Sequence, residues 1–504
     1  MKRAQAPAHV LLLAACAWAP ACGLNQAGDD PPSDTIAYPA SAVMDRTGEW
    51  LLVTNSNADL RYNDGSLMAF SLTRAAADRG IPRDQCPAVS YTNPRTDPID
   101  FCCRDALDPS ITNCDERSYI GAADGDHRGL GNVRIGSFAA GMVMQVASCP
   151  TIDASGNPCS GTCDGFSSPD DRLLINVRGD TSLTFVDIES SDPLTPPKLK
   201  CVGDVTDPQT SVDFATCDGA HRVVTATSAL ASATDDPNPP EIPLPDEPYA
   251  LALDALHGQL FIGHLSGNSA RAFTGGFSLF DVAPLAPTGH LGTPRFIGPF
   301  PSPFTPNSVG SVGITALTIT SHGLFASSRY VPQVAGLGST AQCPGGLREI
   351  AAYPNGNNYN PPLVGTETRG IRFVNDHAFV LQRSPPALVG FALNSAPTDV
   401  LETCGSPTFL DKYPEGDSDS DATRLFVTCF ADGEIYVYDP SVPRLVKTFL
   451  VGRGPSGLVF DQPRKVAYVV GFGDNNISVI DLDPASPTLY HVVQRIGFPR
   501  VTPR

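Results

Sequence analysis

The chain has 504 residues, with 53 Asp and Glu against 34 Lys and Arg, a formal net charge of −19, 45 Gly, 48 Pro and 14 Cys. That acidic balance argues against a nucleic-acid binder or a protein held on an anionic membrane by charge, because both need a basic footprint. With 41% hydrophobic and 17% charged residues the chain can fill a core, and Gly plus Pro at nearly a fifth of the total suit short strands and turns better than long helices.

The N-terminus reads as an export signal. Lys2 and Arg3 precede a short apolar run from Val10 to Ala15 that is too short, and too interrupted by Pro7, His9 and Pro20, to span a bilayer. Leu13-Ala14-Ala15-Cys16 resembles a bacterial lipobox, in which the cysteine takes a diacylglycerol anchor. Cys22 is the alternative: its motif is poorer, but it leaves twelve cysteines for pairing, whereas Cys16 leaves an odd thirteen. An ordinary secreted protein cut near Ala21 is the plainer reading. Residues 1–22 are thus expected as a signal peptide and 23–35 as a polar, Pro-rich tether. Lipid would be the only membrane attachment, and neither Ala17 nor Gly23 is the Asp that favours inner-membrane retention, so an outer-membrane envelope location is expected.

From residue 36 to 504 an apolar triplet followed by small or polar residues recurs seven times, at Leu51-Leu52-Val53, Leu173-Leu174-Ile175, Leu260-Phe261-Ile262, Leu324-Phe325-Ala326, Ala378-Phe379-Val380, Leu425-Phe426-Val427 and Ala467-Tyr468-Val469. A second β-rich run follows most of them, clearest in Ser182–Ile188, Phe277–Val282, Glu434–Asp439 and Ile477–Leu482, with apolar alternation as in half-buried strands. Upstream strands are expected at Ala250–Asp254, Thr315–Ile319, Gly370–Val374 and Ser456–Asp461, and a closing strand at Leu445–Gly452. Four strands per unit make a sheet that cannot cover both of its own faces. Radial stacking covers them, so the expected fold is all-β, a seven-bladed β-propeller of four-stranded antiparallel blades. The runs near Tyr38–Met44 and Val492–Gly497 are expected to seal the ring.

The spacing between triplets falls along the chain towards the 40–45 residues of a four-stranded blade. The excess lies early, at about 80–165, where a disulfide-rich insertion between the first and second units is expected. Cys86, Cys102, Cys103, Cys114, Cys149, Cys159 and Cys163 fall there, and Cys201 and Cys217 fall in the next inflated interval. Disulfides can order such loops in an oxidising compartment, each worth on the order of 2–4 kcal/mol. A metal cluster is the rival, but no His stands at zinc-like spacing from Cys159-x3-Cys163 or Cys102-Cys103. One or two of Cys343, Cys404 and Cys429 are expected as buried free thiols.

In the last two units Gly452-Arg453-Gly454-Pro455, Tyr468-Val469-Val470-Gly471 and Asn475–Asp481, together with Val53-Thr54-Asn55 and Phe426-Val427-Thr428, resemble the YVTN-repeat β-propeller family. The resemblance implies an exported or surface protein, and relatives of the fold include lactonase-like enzymes. Fold alone transfers no function.

No G-x-S-x-G, S-x-x-K, H-E-x-x-H or P-loop motif is present, and Trp50 is the only tryptophan after the signal. His257 and His264, the closest histidine pair, read as a turn and a strand-end residue. Asp417-x-Asp419-x-Asp421 invites calcium but lacks the Gly at the sixth position and the Glu at the twelfth, so a solvated acidic loop is favoured and no cofactor or metal is expected. Equivalent loops of a propeller emerge on one face, and those after the triplets carry Arg61, Arg178, Arg329 and Arg383, a candidate anion-binding rim. Pairing of each Arg with a neighbouring acidic residue is the simpler account. The favoured function is a non-enzymatic, lipid-anchored envelope scaffold binding an envelope protein, a glycan or a small anion. The alternative is a lactonase- or hydrolase-like enzyme with its site in the central channel.

Overall fold

The structure, a computed structural model, describes residues 31–79, 83–85, 102–105, 107–120, 131–146, 171–189, 196–201, 216–227, 241–255, 258–266, 276–282, 291–304, 313–320, 323–339, 347–354, 365–393, 395–414 and 422–497. Seven four-stranded antiparallel blades follow one another along the chain, each with its four strands side by side in sequence order, and a two-stranded sheet of Thr225–Thr227 and Glu241–Pro243 lies outside them. The first blade is Pro39–Met44, Trp50–Asn55, Gly65–Ser71 and Asn132–Ile135. The second is Ala139–Val146, Asp171–Val177, Ser182–Glu189 and Lys198–Lys200. The third is Pro248–Asp254, Gln259–His264, Gly276–Asp281 and Arg295–Pro301, and the fourth Ile314–Thr320, Gly323–Ser328, Gln333–Ser339 and Leu347–Pro354. The fifth is Thr366–Val374, His377–Ser384, Pro386–Ala392 and Asp399–Glu402. Pro407–Tyr413, Arg424–Cys429, Glu434–Asp439 and Arg444–Leu450 make the sixth, and Pro455–Asp461, Val466–Gly471, Asn476–Asp481 and Val492–Ile496 the seventh. The first strand of each blade touches that of the next, and the seventh touches the first, so the ring is closed.

Each triplet lies on the second strand of its blade, and the physics of a covered sheet explains its composition. Side chains alternate between the two faces of a strand. Leu51 and Val53 enter the cluster shared with the seventh blade, whereas Trp50 and Leu52 enter the one shared with the second. Both faces are covered, so the run is apolar throughout. The core is accordingly seven layers, one in each gap between blades. Aromatic pairs bridge some gaps, such as Phe325 with Phe373 at 4.7 Å and Phe426 with Phe460 at 5.1 Å.

Several expectations need correction. The span 80–165 is not one insertion, because it contains the outer strand of the first blade, Asn132–Ile135, and the inner strand of the second, Ala139–Val146. The cysteine-rich stretch therefore divides into two excursions, one inside each blade. The first begins with the short helix Leu72–Asp78, capped by Ser71, and then lays strands 83–85, Cys102–Arg104 and Thr112–Cys114 on the far edge of the seventh blade. Thr112–Cys114 runs parallel to Val492–Ile496, pairing Thr112 with Gln494 and Cys114 with Ile496. The two chain ends do not share a sheet: the Tyr38–Met44 run opens the first blade and the Val492–Gly497 run closes the seventh. The inner strand of the sixth blade, for which no run was assigned, is Pro407–Tyr413, upstream of the acidic run Asp417–Asp421.

Cys102 bonds Cys114 and Cys201 bonds Cys217, while Cys103 is also disulfide-bonded. Cys404 and Cys429, two of the three cysteines among which one or two free thiols were expected, form a disulfide that ties the entry of the sixth blade to its second strand. Cys16, Cys22, Cys86, Cys149, Cys159, Cys163, Cys343 and the run Asp417–Asp421 lie outside the described residues.

Candidate functional site

One structural device repeats at the same place in all seven blades. Each inner strand carries a one-residue bulge near its start, at Ala40, Ala140, Tyr249, Thr315, Arg369, Thr408 and Ser456. A bulge re-aims the extra side chain out of the ladder. The residue entering the strand is left-handed in six blades, at Tyr38, Phe138, Glu247, Glu367, Ser406 and Gly454, with φ between 51° and 65°. For non-glycine residues such conformations cost on the order of 1 kcal/mol each and persist when surrounding bonds dictate them. Those bonds are visible. The carbonyls of Tyr38, Phe138, Glu247, Ser406 and Gly454 accept the N–H groups of Ser56, Arg178, Leu265, Phe430 and Phe472, the residues that leave the second strand. In the fourth blade the entry is Gly313, where a Cβ would stand 2.5 Å from the Leu265 carbonyl oxygen. The result is a collar around the mouth of the central channel, repeated in backbone and varied in side chain.

The side chains divide that collar into two halves. On the sixth, seventh, first and second blades the corner positions hold Phe430, Phe472, Tyr38 and Phe138, all half-buried. Tyr38 and Phe472 lie 5.3 Å apart and Phe430 and Phe472 5.8 Å apart. From the second to the fifth blade the corners are charged. Arg178 donates to Glu247 Oε1 at 3.0 Å, and Arg329 Nε stands 3.7 Å from Glu367 Oε1. Arg369 reaches from the fifth blade to the Tyr249 hydroxyl of the third at 2.7 Å, passing the inner strand of the fourth. Among the described residues its ion pair is again with Glu367, at 3.9 Å. The guanidinium groups of Arg178 and Arg369 lie 5.7 and 5.8 Å from the Tyr249 ring.

The other bulge side chains are small, and the three hydroxyls among them are bonded locally. Thr315 meets Thr368 Oγ1 at 3.0 Å, Thr408 donates to the Pro455 carbonyl at 3.0 Å and Ser456 to the Pro39 carbonyl at 3.1 Å. Buried Asn176 fixes the bulges of the second and third blades, accepting from Gly141 N and donating to the Tyr249 carbonyl, each at 2.6 Å.

The predicted rim residues separate. Arg178 and Arg329 occupy equivalent corners and belong to the cluster. Arg383 follows the same pattern one blade on, donating to Ser406 Oγ at 3.3 Å. Arg61 stands apart on an exposed loop, its guanidinium over the neighbouring Tyr62 ring and its N–H on Asp59. Acidic neighbours stand beside Arg178 and Arg329, whereas the guanidinium groups of Arg383 and Arg61 meet a hydroxyl and a ring. Sequence reasoning missed Arg369, Tyr249, Glu247 and Glu367, which precede the triplets. A signal was present: Pro39, Pro248, Pro407 and Pro455 each stand one residue before a bulge.

His257 lies outside the described residues, and His264 is fully buried, meeting Ser278 Oγ at 2.8 Å and the Asp246 carbonyl at 3.2 Å. Burial pushes its imidazole down to about 4. Sealed from solvent, this Ser–His pair is a packing element. Among the described residues no three His, Cys, Asp or Glu side chains stand within reach of one metal ion.

No protein-family model matches the chain, and no curated protein does. Solved structures do resemble it. One is a protein from Lactobacillus plantarum, 11% identical over 73% of this chain and 89% of that one, with a TM-score of 0.45. Another is a candidate 6-phosphogluconolactonase from Bacteroides uniformis, 12% identical over 68% and 82%, with a TM-score of 0.38. The Cps50 (Swd1) β-propeller domain of Myceliophteria thermophila is 9% identical over 88% and 96%, with a TM-score of 0.40. At these scores the likenesses carry no argument for fold or function. By its own sheet topology, the chain is a seven-bladed β-propeller.

Proposed function

We propose that the chain is an exported, lipid-anchored scaffold of the bacterial cell envelope, on the outer membrane, that binds a ligand or partner at the collared mouth of its channel without catalysing a reaction. The observation that carries this reading is broken symmetry. Backbone geometry repeats in every blade, yet Arg178, Glu247, Tyr249, Arg329, Glu367 and Arg369 gather on one side of the mouth. A mere spacer has no use for such a patch, whereas recognition requires chemically distinct groups on a rigid frame. Export is supported by Lys2, Arg3 and the apolar run after them, by Cys16 or Cys22 as anchor, and by disulfides that suit an oxidising compartment. Membership of the YVTN-repeat group is part of the same proposal, on the motifs of the last two units.

Two measurements test it. Intact mass of the membrane-extracted protein should show a diacylglyceryl cysteine at Cys16 or Cys22; an unmodified chain cut near Ala21 would remove the anchor. Hydrogen exchange with envelope extract should protect residues 244–251 and 365–370, and Ala140→Trp, which fills the mouth, should abolish that protection. Protection confined to outer strands would refute the mouth as the site. Turnover of a lactone or ester that Ala140→Trp stops would favour the hydrolase reading instead.

A further inference from the structure

The two halves of the collar also specify a ligand chemistry, an inference that rests on the mouth being the binding site. We propose that it takes a small organic anion, with a carboxylate or phosphate head against the arginines and an apolar or ring-shaped body against the aromatic half.

Charge supports the head. Arg178, Arg329 and Arg369 face two carboxylates, and one of these, Glu367, serves two guanidinium groups at 3.7 and 3.9 Å, beyond hydrogen-bond length. The short bond of Arg369 goes to a neutral phenol. Its side chain is only 13% exposed, and a guanidinium so enclosed without a close counter-ion is costly. Among the described residues, the buried Nε–H groups of Arg178, Arg329 and Arg369 have no hydrogen-bond acceptor. An arginine presents Nε–H and Nη–H along one edge, the geometry that grips an oxyanion through two parallel bonds. Partial burial lowers the local dielectric and strengthens the attraction. A protein with a net charge of −19 repels anions at long range, so a local cationic cluster selects by contact rather than by steering.

Geometry supports the body. Opposite the arginines stand Tyr38 and Phe430, each in ring contact with Phe472 between them, together with bulge positions no larger than threonine. Half-buried rings offer an apolar face at little entropic cost. An inorganic ion would use one half of the collar and a neutral ring the other; an organic anion uses both.

Calorimetric titration of the full chain with phenyl phosphate, glucuronate and inorganic phosphate tests the inference. Phenyl phosphate or glucuronate should bind at least tenfold more tightly than inorganic phosphate. Arg369→Gln and Arg329→Gln should each weaken that binding at least tenfold, and Phe472→Ala should remove the preference over inorganic phosphate while leaving the latter bound. Arg61→Gln, outside the cluster, should change nothing. If Arg369→Gln unfolds, Tyr249→Phe keeps the ring, and weaker binding at an unchanged melting temperature still assigns the head site. No binding by either organic anion, or equal affinity in wild type and both arginine variants, overturns the inference. Mouth protection by envelope extract without anion binding sinks this inference alone, whereas its loss with retained anion binding sinks only the partner reading.

Discussion

Lowering the pH from 7 to 5 should cost the fold about 2 kcal/mol through a single side chain. His264 is fully buried, and burial pushes its imidazole from the ordinary 6.5 down to about 4. In the unfolded chain the same ring titrates near 6.5. Between these values the unfolded state holds a proton that the folded state refuses, so acid favours unfolding across this window. Above about 6.5 the ring is neutral in both states and contributes no pH dependence. Linkage of the two values gives a loss of about 2 kcal/mol by pH 5 and about 3 kcal/mol by pH 4. Acidic groups add their own pH dependence, among them Asp439 and Asp481, whose carboxyls are held below the ordinary value by local hydrogen bonds despite desolvation. The informative quantity is therefore a difference. Urea unfolding of wild type and His264→Gln at pH 7.5, 6, 5 and 4 should show the wild type losing stability faster on acidification, by about the amounts above. Parallel pH profiles for the two proteins would refute the reasoning, since they would mean that His264 accepts its proton without leaving its site beside Ser278.

Asn176→Ala should cost about 1–3 kcal/mol for each backbone group it strands, the Gly141 N–H and the Tyr249 carbonyl, read as a lower urea midpoint. Arg464→Met should cost about 3 kcal/mol, because Arg464 crosses from the seventh blade to Glu49 and the Gly48 carbonyl and neutralises nearly buried Asp461; limited proteolysis near residue 48 should accelerate. Replacing Cys102 and Cys114 by serine should destabilise the chain by on the order of 2–4 kcal/mol and open 102–114 to proteases first, while an unchanged melting temperature would mean that the pairing with Val492–Ile496 holds without the staple.

Blade number and the second strands were legible because a sheet covered on both faces turns a strand into an uninterrupted apolar run, as at Leu173-Leu174-Ile175 and Tyr468-Val469-Val470. The inner strands were harder. They border the channel and alternate, as in Pro248–Asp254, and the sixth, Pro407–Tyr413, is separated from its triplet by an acidic run. The site divided along the same line. Arg178 and Arg329 were found because they follow triplets directly. Arg369 and Tyr249 were not, because only a bulge turns them towards the mouth, and a bulge is a property of two paired strands rather than of either alone. The pairing of Cys404 with Cys429 was not legible because the antiparallel turn of a blade, not spacing along the chain, brings them together.

Closure raises a further physical question, since every blade is complete in sequence and no strand is shared between the ends. The seam must hold by contacts alone between segments more than four hundred residues apart, such as Tyr38 N on Asn475 Oδ1 at 2.6 Å and Ser456 on the Pro39 carbonyl. Loop-closure entropy grows only logarithmically with separation, so this distance costs little more than a blade-to-blade contact in mid-ring. The seam differs from the other gaps in its covering. The excursion from the first blade continues the sheet of the seventh, backed by Gln494 on Cys114 Sγ and Arg495 on Asp105. Backbone pairing thus spans the seam, and separating the first blade from the last requires breaking a ladder as well as parting two apolar faces. The disulfide between Cys102 and Cys114 joins two strands of that ladder and limits the entropy they regain on release. The extra length that the sequence places early in the chain therefore has a mechanical use where the ring ends, at the one interface that chain connectivity does not support.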